Sequence, residues 1–153
     1  MHRRRFITAS AGAALATRPS PVSASQPRVG AGDVQRLLAK FTALVASDHR
    51  YGGRLTIETQ ASALTEEALA LQARGTASQR VRGALYGCAA SFSSSAMWAA
   101  IDGQRFDTAQ RHFDRASSLA AMSGDSTIQF RIWSQGACTA TWAGRRTRLP
   151  PTT

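Results

Sequence analysis

The chain has 153 residues and a formal net charge of +10, a length that suits one ordinary domain and is short for two. The excess charge lies at the ends, with +5 on residues 1–36 and +3 on residues 145–153, so only +2 remains between them. Nucleic-acid-binding surfaces usually cluster basic residues on a folded face. Because the excess charge here lies at the two ends of the chain, direct nucleic acid binding is not expected. No apolar run reaches the roughly 18 residues that a membrane span needs, so a membrane span is not expected either.

Residues 1–32 are predicted to be a disordered leader and linker. Arg3, Arg4, Phe6 and Ile7 fit the Arg-Arg-x-Phe-Leu/Ile pattern of twin-arginine export signals, and a mildly apolar stretch of small residues continues to Ala16. Residues 17–32 are rich in Pro, Ser and Gly and show neither helical nor strand periodicity. By itself, this segment fits a possible twin-arginine signal.

Apolar residues then recur with helical spacing. A first helix is predicted to begin at a capping Asp33 and to end before the glycines at 52 and 53. A second helix is expected from about Arg54 to Ala73, with Gly75 as its stop. The residues predicted to face inward on these two helices are Val34, Leu37, Leu38, Phe41, Leu44, Val45, Leu55, Leu64, Ala68 and Leu71.

Three more helices are predicted: one capped by Ser78 and ended by Gly103, one from about Phe106 to Met122 that ends at Ser123-Gly124-Asp125, and one from about Ser126 to Ala143. No segment alternates with a period of two for long enough to predict a strand. The fold class is therefore all-α, with about five helices packed as antiparallel hairpins over residues 33–144 and an irregular basic and proline-containing tail at 145–153. The predicted inward residues include Val81, Ala84, Leu85, Cys88, Ala89, Phe92, Ala96, Ala99, Ile128, Ile132, Trp133, Ala137 and Ala140.

The fourth predicted helix carries the most specific pattern in the sequence. Phe106, Ala109, Phe113 and Ala116 resemble the second helix of a tetratricopeptide repeat. Small residues at two positions let neighbouring helices approach closely, an aromatic ring fills the space between them, and Gly103 is expected to permit the tight turn. The alternative is an alanine-rich helical hairpin that belongs to no repeat family.

A second repeat unit begins in the fifth predicted helix. Gly144 follows Gly103 by 41 residues, and each glycine precedes a basic turn. Pro150 and Pro151 cannot continue a helix, so the last helix is expected to keep an uncovered apolar face. Self-association through this face is one expectation, and a truncated, non-functional remnant of a longer array is another. The residues that echo a first repeat helix are Trp133, Gly136, Ala137 and Ala140.

Short motifs spread over about residues 28–143 point to one family: Val29-Gly30, Asp33-Val34, Leu37, Asp48, Tyr51-Gly52-Gly53, Trp98, Asp102, Ala109, Phe113, Ala116, Leu119-Ala120 and Gly124-Asp125. In them the chain resembles the C-terminal helical half of actinobacterial (Streptomyces-type) helix-turn-helix transcriptional regulators. The resemblance implies a tetratricopeptide-like regulatory module that binds a protein or small ligand. Residues 1–32 are too few and too irregular for a helix-turn-helix, so the DNA-binding domain is not expected in this sequence.

The resemblance also bears on the leader. Regulators of this kind often carry a similar Arg-Arg-x-Phe-Leu stretch between their two domains, where it cannot act as an export signal. This implies a cytoplasmic protein, and an exported helical protein remains the alternative.

No catalytic, metal-binding or cofactor-binding set is predicted. His49 and His112 lack a Cys or carboxylate at metal-ligand spacing, and His112 is expected on the surface side of its helix. Cys88 and Cys138 would lie roughly 13 Å apart along neighbouring helices, too far for a disulfide, so two buried free thiols are expected. The chain is therefore predicted not to be an enzyme, and the residues predicted for a possible partner surface are Trp98, Gln104, Arg105, Trp133 and Gln135.

Overall fold

The computed structural model describes residues 27–51 and 54–146, with side chains described over 27–47 and 56–137. Five helices follow one another: α1 (Ala31–Tyr51), α2 (Arg54–Arg74), α3 (Gln79–Asp102), α4 (Phe106–Ser123) and α5 (Ser126–Arg146). Within these ranges, extended backbone pairs only at one isolated bridge, between Arg28 and Thr76. The predicted all-α class is confirmed, and α5 ends at Arg146, three residues beyond its predicted end near Ala143.

Two predictions about the ends of the chain fall largely outside this range. The export-like motif at Arg3, Arg4, Phe6 and Ile7 lies outside the described residues, as does the tail after Arg146. For the helices that are described, none combines the length and apolarity that crossing a bilayer requires.

The start of α1 differs from the prediction. The helix begins at Ala31, so Asp33 lies in its first turn and is not the residue that caps it. The Asp33 carboxylate instead accepts a hydrogen bond from the Gly30 backbone N–H (2.8 Å), and the Asp33 N–H donates to the Gly30 carbonyl (3.1 Å). This is the returning half of a capping box, which satisfies a backbone donor at the helix start.

This contact predicts a pH effect. The Gly30 N–H, assisted by Arg36, holds the pKa of Asp33 below its usual 3.8. A lowered folded-state pKa stabilises the fold above the unfolded-state value, and this contribution is lost as the pH falls through the folded-state pKa. We expect Asp33→Asn to lower the thermal midpoint at neutral pH. The difference in thermal midpoint between this variant and the unmodified chain should disappear well below pH 3.8. A difference that persists there would contradict this role of Asp33.

Residues 27–30, predicted as irregular linker, are held against the α2–α3 loop. The Val29 N–H donates to the Thr76 carbonyl (3.0 Å), and the Thr76 N–H donates to the Pro27 carbonyl (3.2 Å). The Val29 side chain is buried against Gly75, where an added Cβ would lie 2.3 Å from the Val29 Cγ2. Gly75 therefore has two roles. It follows the end of α2, and its lack of a side chain lets the segment that precedes α1 pack against it.

The core is built around α3, which contacts each of the other four helices. The predictions for this helix are confirmed at six positions, all buried: Leu85, Cys88, Ala89, Phe92, Ala96 and Ala99. Val81 and Ala84 are half-buried and pack against the same core. Since α3 has neighbours on most sides, nearly every apolar position on it is covered.

On the outer helices the predictions are confirmed only in part: Val34, Leu37 and Leu44 of α1 and Ile132 of α5 are buried, whereas other predicted positions are exposed. Leu38 and Val45 of α1 are 42% and 36% exposed, and Trp133 of α5 is 62% exposed. Ala137 is exposed as well. Helices α1 and α5 have neighbours on one side only, so part of each apolar stripe stays at the surface.

Helix α2 buries a polar residue that was not predicted. Thr65 is 1% exposed, and its hydroxyl donates to the Ala61 carbonyl (3.0 Å) and lies 3.3 Å from the Ser93 hydroxyl of α3. Because these hydrogen bonds replace those to water, the hydroxyl can be buried at small cost.

The turns agree with prediction in position and differ in detail. Ser78 caps α3 as predicted, with its hydroxyl accepting from the Val81 N–H (3.3 Å). Gly103 ends α3, but its φ of −79° is one that any residue adopts, and Gln104 takes the left-handed φ of 58°. The expected role of glycine freedom in this turn is therefore wrong.

Candidate interaction surface

The five helices form two layers. Helices α1, α3 and α5 make one layer, which we call the first-helix layer, through α1–α3 and α3–α5 contacts. The Phe41 and Phe92 rings, with centroids 5.3 Å apart, join α1 to α3. Helices α2 and α4 make the second-helix layer, where Arg115 of α4 forms an ion pair with Glu66 of α2 at 2.5 Å.

Within the first-helix layer, α3 and α5 run side by side in the same direction. Three contacts join them, and in each the residue numbers differ by 40 or 41: Gly87 with Ile128, Ser91 with Arg131, and Ser94 with Gln135. The increase is the same along both helices, so they are parallel and in constant register. The register equals the 41-residue spacing of Gly103 and Gly144 in the sequence.

A polar strip runs along this junction at the surface. Arg131 donates from its Nη2 to the Ser91 hydroxyl (2.7 Å), and the Ser95 hydroxyl donates to the Ser91 carbonyl (3.4 Å). Ser91 and Ser95 are half-buried, whereas Arg131 is exposed. A guanidinium has five N–H donors, so the held Arg131 can still present donors to a carboxylate or carbonyl of a partner. We call Ser91, Ser95 and Arg131 the serine–arginine strip.

The five residues predicted for a partner surface do not share one patch. Gln135 is half-buried and accepts from Ser94 next to the strip. Trp98 is half-buried and packs against the cluster of Met97, Ala100 and Ala109 at the α3–α4 contact. Trp133 is largely exposed and meets Phe113 edge-on, with ring centroids 5.9 Å apart.

Gln104 and Arg105 lie elsewhere, in the turn between α3 and α4. Gln104 is exposed, and the Arg105 guanidinium forms an ion pair with Glu58 of α2. The Arg105 side chain is therefore directed to the second-helix layer, away from the serine–arginine strip.

The position of His112 corrects a prediction. Its side chain is only 18% exposed and its Nε2 lies 3.2 Å from the Glu58 Oε1, so the expected position on the surface side of its helix is wrong. Glu58 is 12% exposed and contacts both Arg105 and His112. The carboxylate thus holds α4 and its preceding turn against α2. In the described part of the chain, no group of three His, Cys, Asp or Glu side chains is arranged to hold a metal ion.

Cys88 is a free, buried thiol, and burial raises its pKa above the usual 9.0. The thiolate is the reactive form, so burial and a raised pKa both slow its reaction. In a Cys138→Ser variant we expect Cys88 to label slowly with a maleimide in the native state and at once in denaturant. Rapid native labelling would show that the α3 core opens readily. The side chain of Cys138 lies outside the described residues.

A groove between α1 and α2 is the second surface feature. It is an open groove of about 400 Å³, and this volume lies within the usual size range of small-ligand sites. The Lys40 ammonium lies 2.6 and 2.7 Å from the two Glu67 carboxylate oxygens at its edge. The other lining residues are Ala43, Leu44, Gln60, Ala63 and Leu64.

The chain was compared with known protein families, curated proteins and solved structures. No protein-family model, curated protein or solved structure matches the chain.

Proposed function

We propose that this chain is a non-catalytic regulatory module that binds a protein partner on its first-helix layer, as the sensor half of the helix-turn-helix regulators that it resembles would. The parallel, constant-register packing of α3 on α5 supports this most directly. Tandem helical hairpins stack corresponding helices in this way, and the stacked helices present an extended binding surface. The serine–arginine strip is the polar centre of that surface.

The partner would present carboxylate or backbone carbonyl groups. Arg131 is held by Ser91, so less side-chain entropy is lost when its remaining donors are engaged. The half-buried serines leave little bulk along the strip, which favours an extended segment that passes close to α3.

The experiment is capture followed by titration. The immobilised full chain is used to isolate a partner from its own cells, and the purified partner is then titrated against the unmodified chain, Arg131→Glu and Arg111→Glu. Arg111 is exposed on α4, and its side chain contacts Thr108 of the same helix. We expect Arg131→Glu to weaken binding and Arg111→Glu, with the same charge change, to leave it intact. Equal affinity of all three proteins for the partner would show that the serine–arginine strip is not the partner-binding surface.

A small ligand in the α1–α2 groove is a second candidate, favoured by the apolar lining and the Lys40–Glu67 pair at its edge. Alanine at residues 43 and 63 keeps the groove open. Ala63→Trp should fill it and abolish ligand binding, while leaving partner binding at the serine–arginine strip unchanged.

The proposed location is the cytoplasm, with twin-arginine export as the alternative. Residues 1–32 fused to a reporter that is active only after export decide between them. Translocation that depends on Arg3 and Arg4 would overturn the cytoplasmic assignment.

A further inference from the structure

The side of α5 that faces away from the core carries two large apolar side chains. Phe130 is 76% exposed and Trp133 is 62% exposed. Ala137, one helical turn after Trp133, is exposed as well. These positions are spaced by three and four, so they share one side of the helix, whereas Ile132 and Gly136 are buried on the other side. We call Phe130, Trp133 and Ala137 the outer stripe.

Uncharged side chains surround the outer stripe. Within residues 126–137, Arg131 is the only charged residue, and its guanidinium is bonded to Ser91 of α3. The other exposed residues in that range are Ser126, Thr127 and Ser134. On α1, by contrast, the exposed Leu38 lies between the exposed Arg36 and Lys40. Because the centres of protein interfaces are rich in aromatic residues and poor in charged ones, the outer stripe is the better suited of the two faces to an interface.

A second α5 that runs in the opposite direction fits the outer stripe. Apolar residues spaced by three and four form the seam along which two helices pack. In an antiparallel pair centred on residue 135, Trp133 of each chain lies opposite Ala137 of the other, and Phe130 lies opposite Ala140. The helix continues through Arg146, so the seam extends over these positions. Large residues then face small ones, which allows close packing, whereas a parallel pair would place ring against ring.

The charges at the two ends of α5 favour the same arrangement. Asp125 directly precedes the helix and is exposed, and Arg145 lies in its last turn. Antiparallel pairing about residue 135 places Asp125 of each chain opposite Arg145 of the other. Parallel pairing would instead bring like charges together at each end, which is unfavourable.

We propose that two copies of this chain associate through the outer stripe, with their α5 helices antiparallel and related by a two-fold axis near residue 135. The two rings offer roughly 300 Å² per chain, below the roughly 800 Å² per partner of a stable interface. The dimer is therefore weak and reversible, and its population rises with protein concentration. Partner binding at the serine–arginine strip is not required for this association.

Sedimentation equilibrium of the full chain, from micromolar to millimolar concentration, tests the use of the outer stripe. Phe130→Ser is compared with Leu38→Ser, since each removes an exposed apolar side chain from a helix at the edge of the first-helix layer. We expect the unmodified chain and Leu38→Ser to approach a dimer mass as the concentration rises, and Phe130→Ser to remain a monomer. An unmodified chain that stays monomeric throughout, or a dimer that survives Phe130→Ser, would overturn the proposal.

A charge exchange tests the antiparallel register. Trp133→Arg and Ala137→Glu should each abolish the dimer, with folding of both variants verified by circular dichroism. In an equimolar mixture, the new arginine of one chain faces the new glutamate of the other, and the remaining Trp133 faces the remaining Ala137. We therefore expect the mixture to regain a dimer mass. A mixture that stays monomeric would show that the helices do not pair in this register, since in a parallel pair the two new charges would not meet.

Discussion

Phe113→Ala is expected to lower the free energy of unfolding by about 2–4 kcal/mol, because the ring joins α4 to two other helices. An added Cβ at Gly136 of α5 would lie 2.1 Å from the Phe113 Cε2, which shows how closely the ring fills that space. The ring also meets Trp133 edge-on and packs near Met97 of α3. Phe113 is half-buried, so the expected cost lies toward the lower end of the range for buried phenylalanines.

Two variants on the same helix control for this result. Gln110 is exposed, so Gln110→Ala should change stability by no more than about 0.5 kcal/mol. Ala109 is 4% exposed between α4 and α3, so Ala109→Leu should destabilise by about 1–3 kcal/mol through overpacking. Urea denaturation measures all three. If the three variants behaved alike, the packing of α4 on α3 would be misassigned.

The sequence predicts α3 well because nearly every apolar position on it is in contact with another helix, and it predicts the side of α4 that packs on α3. Ala109 and Ala116 repeat at a spacing that only a close helix–helix contact explains, and both are buried. Ser78 and Gly124 mark helix ends through local chemistry: a side-chain cap in the first case and a left-handed φ of 70° in the second. These features are local, so one sequence suffices to find them.

The exposure of Leu38 and Trp133 could not be predicted in the same way. Helical periodicity identifies an apolar stripe, but it does not say how many neighbours cover it. Both residues lie on the outermost helices of the first-helix layer, where the side away from α3 stays at the surface.

The candidate site depends on contacts between residues far apart in sequence. Glu58 and His112 are 54 residues apart, and Arg131 lies 40 residues from Ser91. A single arginine within a helix is usually a solvated surface residue, so nothing local distinguishes Arg131. Gln135 was predicted as part of a surface lined by the first helix of each hairpin, and it lies beside the strip, where it accepts a hydrogen bond from Ser94.

The packing of α4 against α3 can also be tested without removing any side chain, by Gly83→Ala. Alanine favours helices over glycine by about 1 kcal/mol, so substitution in a helix interior would ordinarily stabilise. At residue 83, however, the new Cβ would lie 2.7 Å from the Ser123 backbone carbonyl, which cannot turn aside as a side chain can. We therefore expect a net loss of about 1–3 kcal/mol as the end of α4 is displaced.

Gly32→Ala is the matched control, since Gly32 lies in α1 with nothing within 4 Å of an added Cβ. The same substitution should there stabilise the fold by about 0.5–1 kcal/mol. Urea midpoints that move in opposite directions would establish that the α3–α4 approach depends on the missing side chain at residue 83. A gain in stability at both positions would mean that the helices are further apart than the approach of Gly83 to Ser123 indicates.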